Sequence, residues 1–157
     1  MVRNRLIFNF TSIKPLTANQ AWRNTKGGRS YLSPEYRMFK EDIANQLAVK
    51  RYEIFQFDNF FSPYEHCLET NIYVGLPKDM VFCKDGRMKK KNDADNFIKP
   101  LIDSSFVFFD KIDDAFNASV TCCKYWNKEE KYSIIVDIQI LDMDAVIEMP
   151  PCVPKLK

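Results

Sequence analysis

The stretch from Cys67 to Leu76 constrains the fold most. It alternates, with Leu68, Thr70, Ile72 and Val74 on one side and polar residues between them. A period of two puts successive side chains on opposite faces of an extended chain, so the segment reads as a strand. Pro77 has no N–H to give a ladder and ends it. A strand of this kind has to join a sheet whose apolar face is covered by another layer. Residues 4–11 repeat the pattern, with Leu6, Phe8 and Phe10 opposite Arg5, Ile7 and Asn9. Residues 116–126 and 131–141 read as two more strands, and the polar link Asn127-Lys128-Glu129-Glu130 predicts that they form a hairpin.

Two segments carry helical signals. Ser33-Pro34-Glu35 offers a hydroxyl cap, a proline in the first turn and an acid near the positive end of the dipole. That helix should run to about Lys50, with Met38 or Phe39, Ile43, Leu47 and Val49 as its apolar side. The second runs from Asn96 to about Phe106, with Phe97, Ile98, Leu101, Ile102 and Ser105 at helical spacing. Pro100 fits if the helix begins near Asn96, because its missing N–H then falls in or just beyond the first turn. The remainder reads as connections: a polar loop after the first strand with Pro15, Asn19, Gly27 and Gly28, an irregular aromatic segment at 51–65, a loop at 78–92 and an Asp-rich turn at 107–115. The order strand, helix, strand, helix, strand, strand predicts an α+β fold: a small mixed sheet with two main helices packed against it.

The length of 157 residues suits one domain. We place it at residues 1–141, with 142–157 as a loose C-terminal tail that holds Asp142, Asp144 and Pro150-Pro151-Cys152-Val153-Pro154. The net charge of +2 names no partner, so the distribution of charge matters more than its sum. Five cysteines without C-x-x-C spacing and a single histidine, His66, argue against a zinc site. Reduced thiols in a cytoplasmic protein are the expectation. The start Met1-Val2-Arg3-Asn4-Arg5 lacks the features of a signal peptide, and no apolar run is long enough to span a membrane.

The segment with chemical content is Lys89-Lys90-Lys91-Asn92-Asp93-Ala94-Asp95-Asn96, followed by Lys99, Asp103, Asp110, Asp113 and Asp114. On an extended chain Asp93 and Asp95 face the same way, roughly 6.5–7 Å apart at the backbone. Their carboxylates repel each other unless a cation sits between them. Mg²⁺ suits such a site, because it takes few protein oxygens and completes its shell with water and phosphate. Asp114, with Asp113 beside it, is the candidate third ligand if the chain returns after the helix. Lys99, one turn after Asp95, is a candidate to hold the scissile phosphate or the leaving oxygen. Lys84, Arg87, Lys89, Lys90 and Lys91 precede the acids and suit phosphate binding. Arg23, Lys26 and Arg29, beside Trp22 and Tyr31, form a second basic group.

Bland readings stand beside these. Asp95 or Asn96 would serve equally as a helix cap, Lys99 and Asp103 as a surface ion pair, and the basic run as solvated loop. An EF-hand is excluded, since Phe97 and Ile98 stand where a ligand and a glycine are required. There is no Gly-rich phosphate loop, and His66 lies far in sequence from the acids.

The pattern Asp93-x-Asp95-Asn96-x-x-Lys99-Pro100-x-x-Asp103, then Ile112-Asp113-Asp114, resembles the RusA family of Holliday-junction resolvases. Pro15, Asn19, Trp22, Ser33 and Tyr36-Arg37 add a weaker resemblance, and together they span roughly residues 4–141. The resemblance implies a RusA-like homodimer and an endonuclease that resolves four-way junctions by paired symmetric cuts. It implies Mg²⁺, with Mn²⁺ as a plausible substitute, held by Asp93, Asp95 and Asp114, and Lys99 near the cleaved phosphate. It also suggests a bacterial or phage-infected cell as the setting. The segments 51–65 and 78–88 are longer than the family's usual connections. A non-catalytic junction-binding module, a nuclease for other branched DNA and a purely structural protein remain as alternatives.

Overall fold

The structure is a computed structural model and describes residues 4–24, 26, 30–89 and 93–144. The proposed tail therefore lies outside the described residues from 145 onward. Chain order is β1 (Arg5–Thr11), α1 (Ala18–Ala21), β2 (Trp22–Asn24), β3 (Ser30–Leu32), α2 (Pro34–Ala48), α3 (Arg51–Phe60), β4 (His66–Leu76), α4 (Lys78–Val81), α5 (Asp95–Ser105), β5 (Asn117–Trp126) and β6 (Ser133–Asp142). The α+β class and the mixed sheet are as expected.

The main sheet has the order β1-β6-β4-β5, with β4 and β5 parallel and the other pairs antiparallel. This overturns the predicted hairpin: β5 and β6 do not pair, because β4 lies between them. The sequence between them is long enough to arc over the end of β4, a gap of about 10 Å for two strand spacings. The arc is tied down on the way. Asn127 donates its N–H to the Leu76 carbonyl at 2.9 Å. The Glu130 carboxylate accepts from the Lys78 N–H at 2.9 Å and from Trp126 Nε1 at 2.8 Å. Glu130 itself turns the chain in the left-handed region, at φ 54°. By taking both neighbours, β4 satisfies both edges of the backbone that carries Leu68, Ile72 and Val74, all fully buried.

One face of the sheet is apolar. In register across it stand Leu6, Ile138, Thr70 and Val120, then Phe8, Val136, Ile72 and Cys122, then Phe10, Ile134 and Val74. The helices cover this face and share one core with it. Burial on this scale contributes about 1.5–3 kcal/mol for each large apolar side chain. The opposite face is mixed: it carries Ile7 and Tyr73 at the surface, and Arg5 bonded to Asp137 through two hydrogen bonds of 2.8 and 2.6 Å.

The helices differ from expectation in three ways. First, α2 starts as predicted, with Ser33 Oγ accepting the Tyr36 N–H at 3.1 Å, but its inner face is Tyr36, Phe39, Ile43 and Leu47. Met38 (64% exposed) and Val49 (85%) point to solvent. Second, residues 51–60, read as irregular, form α3, which buries Ile54, Phe57 and Asp58. The exposed aromatics Tyr52, Phe55 and Phe60 blur its period. Third, three helices of ten or more residues are therefore present among the described residues instead of two. The polar loop after β1 also holds α1 and the two-stranded ribbon β2–β3, and α4 interrupts the expected 78–92 loop.

Candidate active site

A parallel β4–β5 pair needs a crossover connection, and residues 77–116, with α4 and α5, supply it. The crossover sets α5 against β5 and returns the chain to the start of β5, where Asp114 stands.

At the leading end of α5 the chain is already helical at Ala94, with φ −61° and ψ −37°. The Asp93 carbonyl accepts from Asn96 N–H at 3.1 Å and the Ala94 carbonyl from Phe97 N–H at 3.2 Å. The extended geometry assumed for Asp93 and Asp95 is thus replaced by a helical turn. Neither Asp95 nor Asn96 is the cap. Asp95 is the first helical residue, and its anion is favoured by the dipole, typically by 0.3–1 kcal/mol. Pro100 lies inside the helix, where it forgoes only the bond to the Asn96 carbonyl just beyond the first turn. Asp95 lies near Cys122 of β5: burial, then Cys123 and Asp95, push the Cys122 thiol up to about 11.

Further along α5, Lys99 Nζ lies 3.3 Å from Asp103 Oδ1. The other Asp103 oxygen accepts from the Tyr36 hydroxyl at 3.3 Å. Tyr36 is buried, and burial, followed by the Asp103 charge, pushes its phenol up to about 12, so it remains a donor. In the sequence Tyr36 stands out only through the resemblance at Tyr36-Arg37, and nothing local marks it as a partner of Asp103, 67 residues away.

Asp114 opens a 3-10 turn, Asp114–Phe116, just before β5. Asp113 caps that turn by accepting the Ala115 N–H at 2.9 Å, which holds its own carboxyl below the usual range. Asp114 is pushed the other way, first by burial, then by Asp113 and Asp103, with Lys99 opposing. The chain does return, and it brings Asp114 into the field of Asp103 and Lys99.

Asp93 lies just before α5 and Asp95 opens it; Lys99 and Asp103 follow along the helix, and Asp114 returns within electrostatic reach of Lys99 and Asp103. Eight residues from Asp95 to Asp103 are about 12 Å of helix. Among the described residues, no three His, Cys, Asp or Glu side chains are drawn together closely enough to form a ready cage for an ion.

Of the basic residues, Lys90, Lys91 and Arg29 lie outside the described residues. Lys84 and Lys26 are exposed. Arg87 is paired with Asp85 at 2.6 Å and Arg23 with Glu35 at 2.6 Å, both at the surface. Lys89 bonds the Asp79 carbonyl. Exposed pairs of this kind are weak and leave their cations open to exchange with a phosphate.

A small α+β domain whose acids flank one lysine-bearing helix fits a class of DNA-cutting enzymes, the endodeoxyribonucleases. A family model described as endodeoxyribonuclease RusA matches residues 12–139. The chain belongs to the RusA endodeoxyribonuclease family, whose activity is cleavage of Holliday junctions. No curated protein matches the chain closely. Among the described residues, no helix is long and apolar enough to cross a membrane.

Proposed function

We propose that this chain is a Mg²⁺-dependent, structure-selective endonuclease that resolves four-way junctions by paired symmetric hydrolysis, acting as a homodimer. The observation that carries the reading is the return of Asp114 to Lys99 and Asp103 on α5, in a chain matched to the family over residues 12–139. A two-fold dimer brings two equivalent sites to a junction that must be cut twice.

The donors fit a hard cation. They are carboxylate oxygens, and the like charges around Asp114 favour a positive ion. Asp93, Asp95 and Asp114 would hold it, with Asp113 as an additional candidate. Mg²⁺ commonly takes one or two carboxylates and completes its shell with water and phosphate, so a closed protein cage is not required. Mn²⁺ is an expected substitute. When bound, the ion supplies Lewis-acid polarisation of the scissile phosphate and a more acidic water.

The chain's own residues do the rest. Lys99 places a point charge beside the phosphate or the leaving oxygen. Asp103, held by Tyr36, orients Lys99. Lys84, Arg87, Lys89, Lys90 and Lys91, with Arg23, Lys26 and Arg29, grip the flanking phosphates.

The test uses a synthetic four-way junction and a matched linear duplex, with Mg²⁺ or EDTA, and wild-type protein beside Asp95→Asn. Paired symmetric nicks on the junction alone, only with Mg²⁺ and lost in the variant, are expected. A module that binds junctions without cutting them is the second reading. Binding with no metal-dependent product would establish it, and equal cutting of linear duplex would point to a general nuclease.

A further inference from the structure

We propose that Asp58, a buried carboxylate on α3, is a positioning residue for cleavage: it fixes the backbone of residues 110–112 and so sets where Asp114 stands. The inference rests on the reading of Asp114 as a metal-holding acid.

Asp58 is 4% exposed. Its Oδ1 accepts the N–H of Lys111 at 3.0 Å and of Ile112 at 2.9 Å. Its Oδ2 accepts the N–H of Lys111 at 3.1 Å and of Asp110 at 3.3 Å. Three successive amides thus converge on one side chain, 52 to 54 residues away in sequence. A buried carboxylate is tolerated when several donors satisfy it, and here every one of these donors comes from a loop that belongs to no helix or strand. The need is mutual, because loop amides without a ladder require an acceptor.

Neighbouring contacts close the grip. The Phe57 and Phe109 rings lie 6.1 Å apart, and Lys111 Nζ bonds Asn59 Oδ1 at 2.9 Å. Ile112 is buried in the core. The next residue is Asp113, which caps the turn that Asp114 opens. No slack residue separates the clamp from the capped turn, so a displacement of 110–112 carries directly to Asp114. Misplacing a reacting group by about 1 Å costs on the order of 10²-fold in rate.

The experiment compares full-length wild type, Asp58→Asn, Asp58→Ala and Asp114→Asn. The asparagine keeps the size but turns an NH₂ toward amide donors. Expected for Asp58→Asn are faster amide exchange at residues 110–114, with β4 and β6 still protected, and weaker Mn²⁺ binding by calorimetry. The Mg²⁺ concentration for half-maximal junction cleavage should rise by about tenfold, within the range a small misplacement can cause. Metal-free junction affinity should change by less than about twofold, as expected for a distant site. Asp58→Ala should go further in each respect.

A merely structural role would lower the folded fraction and leave the Mg²⁺ dependence of the folded molecules unchanged, and that result overturns the proposal. So does failure of both Asp58 variants to fold, since Asp58 would then serve stability alone. If Asp114→Asn cleaves like wild type, the functional reading itself falls and takes the catalytic half of the proposal with it. If Asp114 proves essential while Asp58→Asn behaves as wild type, only the proposal falls.

Discussion

Lys99 offers the sharpest separation of a catalytic role from a structural one. Its visible partner is Asp103, at 3.3 Å, with side-chain exposures of 64% and 25%. Exposed pairs one helical turn apart are worth about 0.3–0.5 kcal/mol. For a domain of this size, 1 kcal/mol moves Tm by about 2–4 °C, so Lys99→Ala should lower Tm by no more than about 1–2 °C. If Lys99 stabilises charge that develops at the phosphate, its removal should cost about 10²-fold or more in cleavage rate. That is about 2.7 kcal/mol of barrier, several times the pair's contribution to stability. The assay is single-turnover cleavage of a labelled four-way junction with Mg²⁺, beside a thermal melt of the same preparations. Lys99→Arg, which keeps the charge but changes its shape and reach, should recover part of the rate. A loss of rate below about threefold in Lys99→Ala, comparable with the weak ion pair alone, would refute the catalytic assignment.

Three further outcomes follow from the fold and its chemistry. Ser33→Ala removes the cap on Tyr36 N–H and the hydroxyl that donates to the Gln20 carbonyl at 2.8 Å, and should cost about 1–3 kcal/mol in a denaturant titration, with Ser33→Thr milder. At Gly75 an added Cβ would stand 2.2 Å from Ser133 Oγ and 2.7 Å from the Tyr125 hydroxyl, so Gly75→Ala should destabilise by about 1–3 kcal/mol, read the same way. Because the Cys122 thiol is pushed up to about 11, its thiolate stays scarce at pH 8 and becomes abundant only as pH rises through that value. Iodoacetamide at pH 8, followed by peptide mass mapping, should therefore label exposed Cys123 well ahead of Cys122.

What was legible in the sequence was local. The alternation at 67–76 and at 4–11 fixed which residues of β4 and β1 face the core, because a period of two depends only on neighbours along the strand. Ser33-Pro34 fixed the start of α2 for the same reason: the cap reaches no further than Tyr36. The motif from Asp93 to Asp114 carried the family, and the match over 12–139 agrees with it. The α3 helix is not legible in the sequence because Tyr52, Phe55 and Phe60 are exposed, and their apolar character hides the buried pair Ile54 and Phe57.

The sequence by itself thus determined the inward faces of β1 and β4, the start of α2, the family and the candidate acids. Tertiary structure alone decided which strands pair, and it placed β4 between β5 and β6 although sequence order suggested a hairpin. It decided that Asp114 returns within electrostatic reach of Asp103 and Lys99. It also decided that Asp58 holds residues 110–112. The physical reason is range. Propensity, capping and period act over one to four residues, whereas a strand's choice of neighbour and a buried carboxylate's choice of donors depend on what the rest of the chain brings alongside.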